Sequence, residues 1–319
     1  MSRILVTAIP QLTEAHRGRI RAAAERQGLE ALFFERDGDA LPALAGAEIL
    51  FAQSADLAAA APALRWQCTP SAGVDHFSPE TFAASGAVLT NSSGAYGVTI
   101  AEHVILVILQ LLRRQPEYAD IIARRQWQRD LAIRSIHGSR ALLLGTGDIG
   151  RETARRLRGF APASVTGMNR SGRNPENLFD RIIPEGELDA ALPEADLVIL
   201  SLPGTAETAH VLDRRRLSRL PDGALLVNVG RGVAVDQAAL EAELRAGRLY
   251  AALDVFEREP IPADASLWQC PNLLITPHAA GNMTLPYTLD RIVELFLQDL
   301  ENYGAGRPLE RRVDLRRGY

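Results

Sequence analysis

Ala141-Leu142-Leu143-Leu144-Gly145-Thr146-Gly147-Asp148-Ile149-Gly150 is the stretch whose reading decides the fold. An apolar run of strand length passes without a break into glycines spaced G-x-G-x-x-G, and residues 151–159 continue with helical character. The spacing alone is a weak signal, but between a strand and a helix each glycine acquires a physical task. Gly145 permits the tight turn, Gly147 lets a pyrophosphate approach the backbone, and Gly150 lets the helix pack on the strand. Amide groups at the start of that helix have no carbonyl partner and favour phosphate. The loop, with Asp148 and Ile149 inside it, therefore reads as a dinucleotide site.

Outward from the loop, residues 164–168, 197–201, 224–229, 250–253 and 273–276 are continuous apolar runs of the kind expected in a parallel sheet covered on both faces. Upstream, residues 3–7, 31–35, 48–52, 65–69 and 87–90 read as a second set of strands, with a helix over 13–27 that Thr13 would cap. Strands alternating with helices predict an α/β protein with two Rossmann-like, doubly wound parallel-sheet domains. Helices expected near 98–113 and 284–303, the latter ended by Gly304, bracket the glycine-loop unit. The simplest topology inserts a dinucleotide-binding domain, 97–284, into a discontinuous substrate domain, 1–96 plus 285–319. Two chain crossings predict a hinge and a cleft. The helix at 98–113 is apolar nearly all round and predicts a subunit interface.

Composition narrows the class. At ~150 residues per domain, 319 residues make about two domains. A net charge of −4 argues against nucleic acid or an anionic membrane as the main partner. The apolar run near Val104 is far short of the ~20 residues a membrane helix needs. No secretory signal pattern opens the chain, and Cys68 and Cys270 form neither a disulfide framework nor a metal motif, so a cytoplasmic protein without a metal is expected. All 35 basic residues are arginine, which excludes Schiff-base catalysis and a P-loop lysine. The arginines near the C-terminus, Arg311, Arg312, Arg316 and Arg317, read as solvated or rim groups.

Cofactor choice is written after the next strand. An NAD site usually carries Asp or Glu there for the ribose 2′-hydroxyl, whereas this chain has Asn169-Arg170-Ser171-Gly172-Arg173. Arginine forks and a hydroxyl suit a 2′-phosphate, so NADP(H) is expected to be preferred, with NAD(H) as the second candidate.

Ligands in open α/β sheets bind beyond the carboxyl ends of the strands. Those ends carry Gly230-Arg231-Gly232, then Asp254 through Pro260 with Glu259, then Pro277-His278. Singly, each is open to a bland reading as a surface arginine, a solvated glutamate or a packed histidine. Beside a dinucleotide loop, an arginine, a carboxylate and an imidazole form an acid–base set. Gly230 and Gly232 are expected to bring the Arg231 backbone close to a ligand.

With Ser71-Ala72-Gly73-Val74-Asp75, Ala101-Glu102-His103, Ser201-Leu202-Pro203, Asn228-Val229-Gly230-Arg231-Gly232, Asp254-Val255-Phe256-Glu257-Arg258-Glu259-Pro260 and Pro277-His278, the chain resembles the D-isomer-specific 2-hydroxyacid dehydrogenases over most of its length. The resemblance implies that Arg231 binds the carboxylate and carbonyl of a 2-oxoacid, that His278 is the general acid/base, and that Glu259 orients it. It also implies that amides of Ala72, Gly73 and Val74 hold the substrate carboxylate. Asp254 would hold the nicotinamide amide, and Leu202, Pro203 and Val229 would line the cofactor. Glyoxylate or hydroxypyruvate is the expected kind of substrate, reduced to the D-2-hydroxyacid, and a homodimer the expected assembly. Tyr96, Met283 and Tyr287 read either as pocket lining or as core. The competing class is a dinucleotide-sensing, corepressor-like binding protein on the same fold, which catalytic turnover would separate.

Overall fold

The structure, a computed structural model, describes residues 3–83 and 85–318. The chain divides into two compact units, Met1–Tyr96 with Asn282–Tyr319, and Gly97–Gly281. Residues 282–284, grouped with the inserted domain in the sequence reading, fall in the first unit.

In the first unit β1 (Arg3–Ala8), β2 (Leu29–Phe34), β3 (Ala47–Ala52), β4 (Trp66–Cys68) and β5 (Val88–Thr90) form a parallel sheet in the order β2-β1-β3-β4-β5. Helix Glu14–Arg26 starts where Thr13 turns the chain: the Thr13 hydroxyl accepts from the His16 amide, and the Thr13 amide donates to His16 Nδ1. This capping box uses histidine where glutamate is usual. The His16 ring is buried and its Nε2 lies 2.7 Å from Asp290 on helix Pro286–Gly304. That helix runs through Gly304 rather than stopping before it.

Aromatic stacking explains why a segment nearly 200 residues downstream rejoins this unit. Phe296 stacks on Phe51 at 4.0 Å and on Trp66 at 5.3 Å, and Tyr303 extends the pile at 5.6 Å from Trp66. Such rings bury large areas and add ~0.5–1.5 kcal/mol per pair beyond area. The arginine-rich end departs from the solvated reading. Val313 N–H donates to Leu89 O and Asn91 N–H to Arg311 O, so the tail lines the β5 edge in antiparallel fashion. Arg311 is mostly buried against Asp299, 2.9 Å away and 1% exposed. The edge needed a backbone partner, and a buried carboxylate needed a cation. Arg312, Arg316 and Arg317 remain exposed.

The second unit is a seven-stranded parallel sheet of β6 (Arg140–Leu144), β7 (Ser164–Met168), β8 (Arg181–Ile183), β9 (Leu197–Leu200), β10 (Leu225–Asn228), β11 (Tyr250–Leu253) and β12 (Leu273–Ile275), ordered β12-β11-β10-β9-β6-β7-β8. Its central strands are buried throughout, which is why they read as unbroken apolar runs. β8 escaped the sequence reading because three residues beginning with arginine, at a sheet edge, carry no periodicity. Strand order reverses between β6 and β9, where a doubly wound fold opens its crevice. Helix Gly97–Leu112 buries Val104, Val107, Ile108 and Leu111 while Leu106 is 52% exposed. Among the described residues no helix is long and apolar enough to cross a membrane.

Candidate active site

The glycine loop leaves β6 at the reversal point and enters helix Asp148–Arg158 with Gly147 as its N-cap. Gly145 has φ 103°, and a Cβ there would lie 2.9 Å from Ser201 O; at Gly150 it would lie 2.1 Å from Gly145 O. Both positions need hydrogen. At Gly147 a Cβ would meet nothing within 4 Å, so the outer side of the loop is open. Gly147, the N-cap, has no side chain to cap the helix, whose first amides lack carbonyl partners by geometry, and three arginines crowd its last turn. This cradle fits a pyrophosphate. Asp148 is engaged elsewhere: its Oδ2 accepts the Gly97 amide at 2.7 Å, tying the loop to the start of helix Gly97–Leu112.

Beyond β7 the structure adds one role. Asn169 spends its amide inside the protein, donating to Thr146 Oγ1 at 2.7 Å and to Arg173 O at 2.9 Å, while its Oδ1 accepts the Gly172 amide. It organises the 169–173 loop and joins it to the glycine loop. Ser171 Oγ accepts the Arg173 amide. Arg170 is 72% exposed, with the Glu207 carboxylate 3.9 Å away, and Arg173 is exposed. Leu202 is half-buried, Pro203 exposed and Val229 buried at the end of the sheet.

The ends of β10, β11 and β12, neighbours in the sheet, carry the acid–base set. His278 Nδ1 lies 2.7 Å from Glu259 Oε2, and the other Glu259 oxygen accepts the Phe256 amide at 2.9 Å. The carboxylate is thus aimed by backbone before it meets the ring. His278 adopts φ 53°, and its amide donates to Asp254 O at 2.9 Å. Arg231 is half-buried, with Nη1 on Gly230 O at 2.8 Å.

The flanking glycines also serve packing within the protein. A Cβ on Gly230 would lie 2.6 Å from Leu202 O, and one on Gly232 would lie 1.9 Å from the Phe256 carbonyl carbon. They let three protein segments approach closely, those carrying Leu202, Arg231 and Glu259. Asn228, which sequence reasoning passed over, braces the turn: Oδ1 accepts the Gly230 amide and Nδ2 donates to Arg231 O. Asn two residues before Gly is the available signal, since Asx side chains close such turns.

In the first unit, Ala72, Gly73 and Val74 donate no amide hydrogen bond among the described residues. Their loop is held from outside: Ser71 Oγ donates to Gly73 O, Asn91 Nδ2 to Ala72 O, and Tyr96 OH to Pro70 O. Tyr96 is thereby a buried brace whose phenol is pushed upward by burial. Met283 is half-buried and Tyr287 is 51% exposed.

A dinucleotide cradle sharing a sheet edge with a carboxylate-oriented imidazole and an arginine defines a nicotinamide-dependent oxidoreductase. Residues 105–280 match the family model for the D-isomer specific 2-hydroxyacid dehydrogenase, NAD binding domain. Glyoxylate/hydroxypyruvate reductase B of Pectobacterium atrosepticum is 33% identical over 247 residues, 74% of this chain and 77% of that protein. A crystal structure of a D-isomer specific 2-hydroxyacid dehydrogenase family protein from Aeromonas salmonicida superposes with a TM-score of 0.88 at 34% identity, covering 99% of this chain and all of that one. An NADPH-dependent glyoxylate/hydroxypyruvate reductase from Sinorhizobium meliloti, solved with NADP and sulfate, gives 0.82 at 25% identity over 99% of this chain and 100% of its own. The chain belongs to the D-isomer-specific 2-hydroxyacid dehydrogenase family.

Proposed function

We propose that this enzyme reduces a small 2-oxoacid of glyoxylate or hydroxypyruvate size to the D-2-hydroxyacid, preferring NADPH to NADH. The 2.7 Å contact between His278 Nδ1 and Glu259 carries the reading. An ionised Glu259 accepts, so Nδ1 holds a proton and Nε2 becomes the nitrogen that exchanges one with substrate. His278 then protonates the carbonyl oxygen during reduction and removes that proton in reverse. Arg231 pairs with the substrate carboxylate and polarises the carbonyl. The amides of Ala72, Gly73 and Val74, which donate no hydrogen bond among the described residues, suit an anionic group. Bound nicotinamide supplies the hydride. Arg170, Ser171 and Arg173, with no carboxylate at the end of β7, support binding of the 2′-phosphate, and the NADP-bound Sinorhizobium relative adds to that support. We further propose a cytoplasmic protein and a homodimer joined through the second unit; Leu106 and Ile122 there are large apolar side chains left 52% and 60% exposed, and a solution mass of one chain would refute the dimer.

The deciding experiment follows absorbance at 340 nm with a panel of 2-oxoacids and both cofactors. Turnover is expected, with kcat/KM higher for NADPH. His278→Ala should lose about 10²–10⁴-fold in kcat, and Arg231→Ala should raise KM while lowering kcat. Near-normal turnover in either variant refutes the mechanism, and equal or better use of NADH refutes the cofactor choice. Tight NADPH binding without turnover on any oxoacid would instead make the chain a dinucleotide-sensing binding protein.

A further inference from the structure

One polar chain beside the site is centred on Asp254, the residue that the resemblance assigns to the nicotinamide amide. Asp254 is 3% exposed and receives an unusual set of donors. Its Oδ1 accepts the Thr276 hydroxyl at 2.6 Å and the Ala279 amide at 2.8 Å, and the Ala280 amide bridges both oxygens at 3.2 and 3.1 Å. The Asp254 carbonyl takes the His278 amide. The loop from Thr276 to Ala280 is thus folded around one buried carboxylate, and the left-handed His278 sits at its middle.

Thr276 is held in turn. Its proton goes to Asp254, so its oxygen accepts, and His103 Nε2 lies 3.3 Å away. This order requires a hydrogen on His103 Nε2, an assignment made from the network. His103 is a half-buried imidazole on the largely apolar helix Gly97–Leu112. Burial pushes its pKa down, against the opposing pull of Asp254. A polar ring on an apolar helix costs solvation, and here its hydrogen bond goes into the catalytic loop.

We propose that His103 and Thr276 are positioning residues: through Asp254 they set the conformation of the 276–280 loop and hence the aim of the His278 ring. The inference rests on the proposed role of His278 as acid/base. Neither residue touches substrate. Their effect falls on kcat, because a catalytic group displaced by about 1 Å can lose ~10²-fold in rate without losing ligand affinity.

The test uses the intact protein in two readouts. Thr276→Val removes the hydroxyl at nearly constant shape and is expected to lower kcat about tenfold, with KM for the oxoacid and Kd for NADPH within twofold. Thr276→Ser is expected to restore kcat to within twofold of the parent. In the cofactor-free protein, amide hydrogen exchange over residues 276–281 is expected to speed up in the Val variant and not in the Ser variant. His103→Leu is expected to lower kcat three- to fivefold, and the double variant to be no worse than Thr276→Val alone, since one residue acts through the other. Unchanged kcat and exchange in Thr276→Val overturn the proposal, as do a Ser variant as impaired as Val and additive losses in the double variant. If Thr276→Val fails to fold, His103→Leu decides alone: kcat within twofold of the parent overturns it. His278→Ala separates the two readings. Loss there with intact Thr276 and His103 variants defeats only the positioning role, whereas an active His278→Ala defeats the function on which it rests.

Discussion

A methyl group at position 150 would sit 2.1 Å from the Gly145 carbonyl oxygen, and one at position 232 would sit 1.9 Å from the Phe256 carbonyl carbon. Both obstacles are backbone, which cannot rotate aside. Gly150→Ala and Gly232→Ala should each cost about 1–3 kcal/mol through overpacking, read as a lower urea midpoint at unchanged slope. Gly147 behaves oppositely. Its φ of −71° suits alanine and its added Cβ meets nothing, so Gly147→Ala should keep or slightly raise stability. The methyl would occupy the space a pyrophosphate needs, and KM for NADPH should rise about tenfold. A Gly147→Ala variant with unchanged KM would move the phosphate away from this loop. The sequence could name all three glycines, because motif and flanking elements are local. It could not separate the reasons at Gly230 and Gly232, since the atoms they approach lie on segments near residues 202 and 256.

At the scale of elements, the tail that follows helix Pro286–Gly304 is held by a buried ion pair in addition to its backbone bonds to β5. Asp299 accepts the Glu310 amide on one oxygen and Arg311 on the other, and Arg311 also donates to Leu295 O. Arg311→Ala strands a carboxylate that is 1% exposed. Removing one partner of a buried pair costs about 3–5 kcal/mol, so the melting temperature should fall by roughly 6–20 °C for a unit of this size. The exposed Arg312→Ala should change stability by less than about 0.5 kcal/mol. Equal effects of the two would show that the pair does not hold the tail. Composition lists four tail arginines as equivalents. Only the position of Asp299 on the preceding helix distinguishes Arg311, and its separation from Arg311 in sequence carries no recognisable signal.

At the scale of the molecule, Glu48 of β3 joins chain segments from both ends of the first unit. It pairs with Arg3 at 2.8 Å and accepts the Tyr303 hydroxyl at 2.7 Å. Burial, and next the hydrogen bond to Glu48, push the Tyr303 phenol up to about 12. The folded state therefore holds this proton more tightly than the unfolded chain, whose tyrosine titrates near ~10. Stability from this group is complete below that value and is lost as pH rises through the folded pKa. Denaturant titrations at increasing pH across this window should show a smaller loss in Tyr303→Phe than in the parent. The Cys68 thiol, pushed up to about 12 by burial, retains part of the slope in both. Equal slopes would remove Tyr303 from the linkage.

Every strand but β8, the long helices, the glycine loop and the order of Arg231, Glu259 and His278 were readable along the chain. Each depends on neighbours within a few residues or on which end of a parallel strand a residue follows. Tertiary structure alone decided that Asn169 braces a loop, that Arg311 is buried, and that Asp254 gathers donors from Thr276, Ala279 and Ala280. It also decided that His103, on a largely apolar helix, lies 3.3 Å from Thr276 in the loop that carries His278. Those assignments hinge on distances of about 3 Å between groups 12 to 173 positions apart, and no local pattern records which polar atom will meet which once the sheets have formed.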